Sequence, residues 1–335
     1  MSQVARRAGV SVMTVSYAYS RPDRVSLESR EKVARAAAEL GYSGPDPAAR
    51  SLRYGTTRTI GVIFGEHLTY AFDNPQAVAF LAGIAEVCAE RGYGMLIVPI
   101  SGSDDDARRV TESAVDAFVI WTTSDDDPVL EAVSATGRTA VLHGGPARAG
   151  LLPMGIDDRA AAFEMGRRTF SGAARPGVLS FPLDRQRATL VSPGIDPDSA
   201  LFPVTRQRLL GFRDAAESLG FDWQHVLVGV AATNDEGEAA AVASSMLAGD
   251  YRVDAIAAMS DVLAVGVLGA ATALKLDVPR QVSVSGWDDS SDATAHSLSS
   301  VAQDLRAQGA AAARLALGGS ADPAQWSVVT RSSTG

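Results

Sequence analysis

The 335-residue chain carries a single cysteine, Cys88, and four histidines. One thiol allows neither an intrachain disulfide nor a thiolate metal motif. His67, His143, His225 and His296 fall at no metal-ligand spacing. Cys88 lies in an apolar helical stretch and reads as a small buried hydrophobe. Long apolar runs are missing as well. The longest, residues 262–274, is too short to cross a bilayer, and the N-terminus lacks the apolar region of a signal peptide. The expectation is a soluble, cytoplasmic protein with no membrane partner, metal or cofactor. No nucleophile elbow, P-loop or dinucleotide fingerprint is present, so nothing in the chain asks for catalysis. Two acidic runs, Ser103-Asp104-Asp105-Asp106 and Ser124-Asp125-Asp126-Asp127-Pro128, resemble metal sites at a glance. Both precede helical stretches, where acids favour the positive end of the helix dipole, and helix capping accounts for them.

What is present is unevenly charged. Residues 1–58 hold 10 basic and 5 acidic side chains; the remainder holds 20 and 34, and the whole chain carries −9. A basic head on an acidic body suits a polyanionic partner for the head alone. The head also has a pattern. Val4, Ala5 and Ala8 form the apolar stripe of a short helix, and Gly9 can take the positive φ of a tight inter-helix turn. Ser11 is a good N-cap for a second helix over residues 12–19, with Val15 turned inward. A third helix starts at Ser26, has Glu28 in its first turn, buries Val33, Ala36, Ala37 and Leu40, and stops at Gly41. The arrangement is either a helix-turn-helix, whose second helix enters the major groove of DNA, or an ordinary corner between two helices. Asp46 as N-cap and Pro47 at the first helical position then begin one more short helix. It is too short and too polar to hold itself in water, so it should order only under a partner.

From residue 59 onward, short β-branched runs alternate with amphipathic stretches. Residues 60–64, 95–100, 117–121 and 139–142 read as buried parallel strands, followed by a second series at 177–181, 226–230, 255–258 and 282–285. Helices are expected between them, notably at 76–91, 206–219 and 261–274. Such alternation means doubly wound parallel sheets, and two series mean two similar subdomains with ligand space beyond the strands' carboxyl ends.

Several ordered pieces carry a family likeness: Val4-Ala5-x-x-Ala8-Gly9-Val10-Ser11, Thr14-Val15-Ser16, Glu39-Leu40-Gly41-Tyr42, Ala49-Arg50-Ser51-Leu52-Arg53, Ser260-Asp261 and Gly286-Trp287-Asp288-Asp289. Through them the chain resembles the lactose-repressor (LacI/GalR) family of transcription regulators over nearly its whole length. The resemblance implies an α/β protein in three parts. These are a helix-turn-helix head at 1–44, a hinge helix and linker at 45–57, and a bilobed body of periplasmic-binding-protein type at 58–335. The expected lobes are about 58–154 with 290–318, and about 155–287 with 320–335, crossing near Gly155, Asp288 and Gly319.

The expected site residues follow. Val12, Met13 and Tyr17 take the three groove-facing positions, with Tyr17 where the family usually has Arg. Base reading then leans on apolar contact, thymine methyls above all. Ser11, Thr14, Ser16, Arg24 and Ser26 suit contacts to the DNA backbone. Ala49, Arg50, Leu52 and Arg53 belong to the hinge, and Leu52 is the expected minor-groove wedge. For the effector, Arg208 and Asp288 match the family's ligand-gripping positions and are expected to face each other across the cleft. Trp121, Tyr70 and Phe72 could stack on a ligand, and Asp261 lies at another strand end. Each also has a plainer reading as a helix cap or surface ion pair. Residues 182–205 form either a lid or a disordered insertion.

The implied function is sequence-specific regulation by a homodimer on double-stranded operator DNA. A small-molecule effector releases it, a sugar first and a nucleobase or nucleoside second. The rivals are a periplasmic-type ligand-binding protein and an enzyme on a doubly wound fold. No heptad-rich tail supports a coiled-coil tetramer. One departure concerns the first helix, which in the family begins earlier behind a capping Thr. Here either Ser2 caps a shortened helix or the natural start lies upstream.

Overall fold

A computed structural model describes residues 1–44, 55–65, 69–103, 105–249 and 252–335. The chain divides into two compact units, residues 1–57 and 58–335. In the first, α1 (Ser2–Ala8), α2 (Val12–Ser20) and α3 (Leu27–Glu39) bury Val4, Ala5, Val15, Val33, Ala36 and Ala37 together. Gly9 ends α1 at φ +65°, while the Val10 N–H returns to the Ala5 carbonyl at 3.0 Å. This left-handed closure satisfies carbonyls that the helix end would otherwise strand. Ser11 Oγ accepts the Thr14 N–H at 3.0 Å and starts α2; Ser26 Oγ accepts the Ser29 N–H at 3.3 Å and starts α3.

Two expectations fail in this unit. Leu40 is 44% exposed rather than buried. It is the C-cap of α3, and the turn at Gly41 brings Tyr42 back onto the core in its place. Ser2 lies inside α1 and makes no cap; Met1 is the N-cap residue. The hinge residues Ala49, Arg50, Leu52 and Arg53 lie outside the described residues.

The second unit has two lobes. In the first lobe, β1 (Thr59–Phe64), β2 (Gly94–Val98), β3 (Ala117–Trp121), β4 (Thr139–His143) and β5 (Leu152–Met154) form a parallel sheet in the order β2-β1-β3-β4-β5. A one-turn helix α4 (Tyr70–Asp73) leads into α5 (Pro75–Arg91), and α6 (Asp106–Glu112) and α7 (Pro128–Ala135) follow. In the second lobe, β6 (Pro176–Ser180), β7 (Leu190–Pro193), β8 (Leu227–Val230), β9 (Ala255–Ala258), β10 (Ser283–Asp288), β11 (Ser299–Gln303) and β12 (Trp326–Val329) pair in the order β12-β11-β10-β9-β6-β8-β7. Its edge strands β7 and β12 run antiparallel to their neighbours. The helices α8 (Asp158–Phe170), α9 (Pro203–Ser218), α10 (Glu236–Leu247) and α11 (Asp261–Ala273) surround this sheet, with the short α12 (Ser291–Ala295) beside α11. The last helix, α13 (Leu305–Ala316), belongs to the first lobe and packs on α5. Gly83 and Gly309 make that packing possible: a Cβ on either would overlap a backbone carbonyl of the facing helix, Arg306 or Phe80.

Three features differ from the sequence expectations. The second crossing is not at Asp288. The chain stays in the second sheet through β11, with Trp287 opposite Val301, and crosses between Gln303 and Leu305. The strand Ser-Ser-Val-Ala-Gln has too little β-branched character to stand out in the sequence. Segment 182–205 is neither featureless nor disordered, since it contains β7 and a 3₁₀ turn, Pro197–Ser199. Finally, β2 is an edge strand rather than a buried one, with Met95 36% and Leu96 40% exposed.

Candidate functional site

A cavity of about 420 Å³ opens between the two lobes, at the carboxyl ends of both sheets. The first lobe supplies Tyr70 and Asn74 from the α4–α5 corner, Trp121 and Thr122 at the end of β3, and His143 and Gly144 at the end of β4. The second supplies Asp158, Phe181, Arg208, Asn234 and Asp288, and Gln303 stands at the crossing. Parallel sheets leave their ligand space here because the connections diverge beyond the strand ends. Three non-glycine residues of its lining hold positive-φ backbone, Thr122 at φ +31°, Arg187 at φ +51° and Asp288 at φ +104°. Such conformations are costly and persist only where the surroundings enforce them.

Arg208 is 6% exposed. Its Nε donates to Asp158 Oδ1 at 2.8 Å and its Nη1 to the Met259 carbonyl at 2.5 Å, while the guanidinium lies 3.8 Å from the Trp287 ring centre. A buried guanidinium needs that pairing, and the indole face adds a cation–π contact. Asp288 accepts from Gln303 Nε2 at 2.8 Å. Burial pushes its carboxyl up to about 7 against the pull of Arg208, with Asp261 and Asp158 pushing the same way as burial. Trp121 stacks on His143 with ring centres 5.0 Å apart, and Phe80 meets its edge at 4.6 Å. Burial drives the His143 imidazole below its usual range, which keeps the ring neutral.

Four of the six expected effector residues therefore line the cavity: Arg208, Asp288, Trp121 and Tyr70. Arg208 and Asp288 do not face each other across the cleft. Both belong to the second lobe, since α9 packs against the sheet that holds β10. Phe72 is 61% exposed and lies away from the cavity, two positions past Tyr70 on one helical turn. Asp261 is buried behind the wall, where it accepts the Ser290 N–H and the Ser300 hydroxyl, each at 2.7 Å, and so braces β11 beside β10.

The acidic runs do more than cap. Asp127 caps α7 through the Val129 N–H, and Asp106 gathers the N–H groups of Ser101, Gly102 and Ser103. Asp125, however, pairs with Arg206 of the second lobe at 2.5 Å, and Arg185 donates to Ser124 Oγ at 3.0 Å. Segment 182–205 thus closes one side of the cavity, and Pro182, Arg187 and Phe202 from it form part of the wall.

In the head, Val12 and Met13 are 47% and 52% exposed at the start of α2, and Tyr17, one turn on, is half-buried. Ser11 and Ser26 are exposed caps, Arg24 is exposed, and Thr14 and Ser16 are half-buried. Two large apolar side chains therefore stand in water at the start of α2, as Leu27 does at the start of α3.

Comparison with known proteins matches residues 1–44 to the model for bacterial regulatory proteins of the lacI family, and residues 186–334 to that for a periplasmic binding protein-like domain. An HTH-type transcriptional regulator of Mycobacterium tuberculosis is 33% identical over 322 residues, covering 95% of this chain and 90% of its own. The chain belongs to the LacI family. The ribose operon repressor of Escherichia coli is 28% identical, covering 86% of this chain and 82% of its own. Among solved structures, a LacI-family regulator from Corynebacterium glutamicum superposes with a TM-score of 0.75 at 26% identity, covering 100% of this chain and 98% of its own. The Lac repressor dimer bound to operator and the anti-inducer ONPF shares the fold at a TM-score of 0.76 and 23% identity, covering 98% and 97%. This LacI-family protein is a DNA-binding transcriptional regulator with a bilobed body. The lining residues His143, Gln303 and Asn234 were not among the expected site residues. His143 directly follows an expected strand, so the strand-end rule alone would have found it. Gln303 had no such signal, because its strand was not legible.

Proposed function

We propose that this LacI-family regulator represses transcription as a homodimer, and that a sugar bound between its lobes releases it from DNA. The cavity carries the effector half of the reading. It combines aromatic rings in its lining (Trp121, Tyr70, Phe181) with a buried guanidinium and a carboxyl (Arg208, Asp288), the chemistry that suits the apolar face and the hydroxyl rim of a sugar ring. The name of the ribose operon repressor supports the same ligand class. A nucleobase or nucleoside is the second choice, because the same rings and polar edges suit a flat heterocycle.

Val12, Met13 and Tyr17 are assigned to base reading. Ser11, Thr14, Ser16, Arg24 and Ser26 are assigned to the phosphate backbone, and Ala49, Arg50, Leu52 and Arg53 to the minor groove. An apolar reading face favours thymine methyls over the guanine contact an arginine would make. Dimerisation is supported by the first lobe, where Met95 and Leu96 on the edge strand β2 and Val78 on α5 are exposed. Thermal-shift screening of sugars and nucleosides on the full chain tests the effector. A rise with a sugar and none with nucleosides is expected, and the opposite pattern rejects the sugar. A gel shift on genomic fragments, with the released DNA followed as that sugar is added, tests repression by release.

A further inference from the structure

We propose that Gln303 and Gln308, on either side of the second crossing, are positioning residues of the cavity. They join Asp288 of the second lobe to His143 of the first through one directional chain of hydrogen bonds, and so commit one carboxyl oxygen to the protein and leave the other for a bound molecule. The inference rests on the reading of the cavity as the effector site.

The chain has three links. His143 Nε2 lies 2.8 Å from Gln308 Oε1, Gln308 Nε2 lies 3.1 Å from Gln303 Oε1, and Gln303 Nε2 lies 2.8 Å from Asp288 Oδ1. It begins on β4 in the first lobe and ends on β10 in the second. Between them it follows the connection where β11 passes into α13, whose N-cap Asp304 accepts the Ala307 N–H at 2.8 Å. Any rotation of one lobe on the other acts on this connection.

The direction follows from the far end. His143 and Gln308 are buried, at 7% and 4% exposed. The imidazole packs against both Trp121 and Phe80, at 5.0 and 4.8 Å. Among the described residues its Nδ1 meets no partner. A proton on Nδ1 would be an orphaned buried donor and would leave a bare Nε2 lone pair against the Gln308 amide oxygen, two acceptors 2.8 Å apart. The neutral ring therefore carries its proton on Nε2 and donates to Gln308 Oε1. Each amide then accepts on its oxygen and donates from its nitrogen, and the last N–H reaches Asp288 Oδ1. Reversing the chain would strand the Nδ1 proton and require a proton on Asp288 Oδ1 as well.

Around Asp288, Arg208 on α9 and the Gln303 amide on β11 favour the carboxylate, while Asp158 on α8 and Asp261 on α11 oppose it. Asp158 and Arg208 also act on His143, in opposite senses. The backbone of Asp288, at φ +104°, adds a fixed base to the carboxyl. Gln303 is the neutral group in this set, and so the one whose removal changes a hydrogen bond without changing a charge.

The test is NMR on the full chain, with ¹⁵N-labelled histidine and ¹³C-carboxyl-labelled aspartate. At pH 8 the His143 ring should show the Nε2–H tautomer. Gln308→Met, which keeps length and volume, should give a mixture of tautomers. Gln303→Met should raise the Asp288 midpoint by at least ~0.5 pH unit through loss of one donor. An Nδ1–H tautomer in the unsubstituted protein overturns the proposal even if a variant fails to fold. So does an Asp288 midpoint unmoved by Gln303→Met. A sugar screen without binding, alongside an intact Nε2–H signal, would instead reject the effector reading and leave the chain of bonds standing.

Discussion

Replacing Asp288 by Asn should make the protein more stable at pH 8 and leave its stability at pH 4 nearly unchanged. Folded, the carboxyl titrates at about 7; free of the fold it would titrate near 3.8. Between those values the folded chain holds a proton that the unfolded chain has released. Stability therefore falls as pH rises across that window, and it is flat below and above it. The full span corresponds to about 4 kcal/mol. Asp288 still opens on the cavity, where solvent can screen the charge, so about 2 to 4 kcal/mol is the expected gain of Asp288→Asn above pH 7. Asparagine keeps an oxygen for the Gln303 amide and never ionises, which removes the pH dependence without removing the bond. Urea unfolding of both proteins at pH 4, 6 and 8 measures the difference curve. His143 contributes the opposite slope, because its lowered value makes stability fall as the medium is acidified below its usual range near 6.5. That contribution is common to both proteins and largely cancels. A difference curve that is flat, or that falls toward alkaline pH, would refute the burial argument for Asp288.

Arg208→Met should cost about 3–5 kcal/mol in urea unfolding, because it strands the buried Asp158 carboxylate; adding Asp158→Asn should recover much of the loss. Gly309→Ala should destabilise by about 3 kcal/mol, since the new methyl meets the rigid Phe80 carbonyl rather than a side chain that can move; a thermal midpoint equal to wild type would show that α5 and α13 separate freely. Tyr17→Ala should change the half-site selected from random DNA, and an unchanged site would remove Tyr17 from base reading. Binding to any selected operator should weaken steeply with added salt, about one logarithmic unit of slope for each phosphate neutralised, as read by gel shift at several salt concentrations.

Local signals carried most of the head. Gly9, Ser11, Ser26 and Gly41 act on their own turns, so a short window of sequence contains the physics that stops and starts α1, α2 and α3. The same holds for β1, β3 and β9, whose apolar runs are continuous because both faces of a parallel sheet are covered. Leu40 shows the limit. Its spacing fits the buried face of α3, but a cap residue turns with the chain rather than with the helix.

By itself, then, the sequence determined the class of protein, the three-helix head and the two sheets, and its family likeness singled out Arg208 and Asp288, as strand ends did Trp121 and Tyr70. Tertiary structure alone decided which wall each occupies. Arg208 and Asp288 share a lobe because α9 packs on the sheet that contains β10, and Asp261 withdraws behind that sheet to brace β11. The chain from His143 to Asp288 joins residues 145 positions apart through Gln308 and Gln303, and it exists only because the chain crosses after β11. Hydrogen bonds of that kind depend on where a connection passes in space, and no periodicity along the sequence records it.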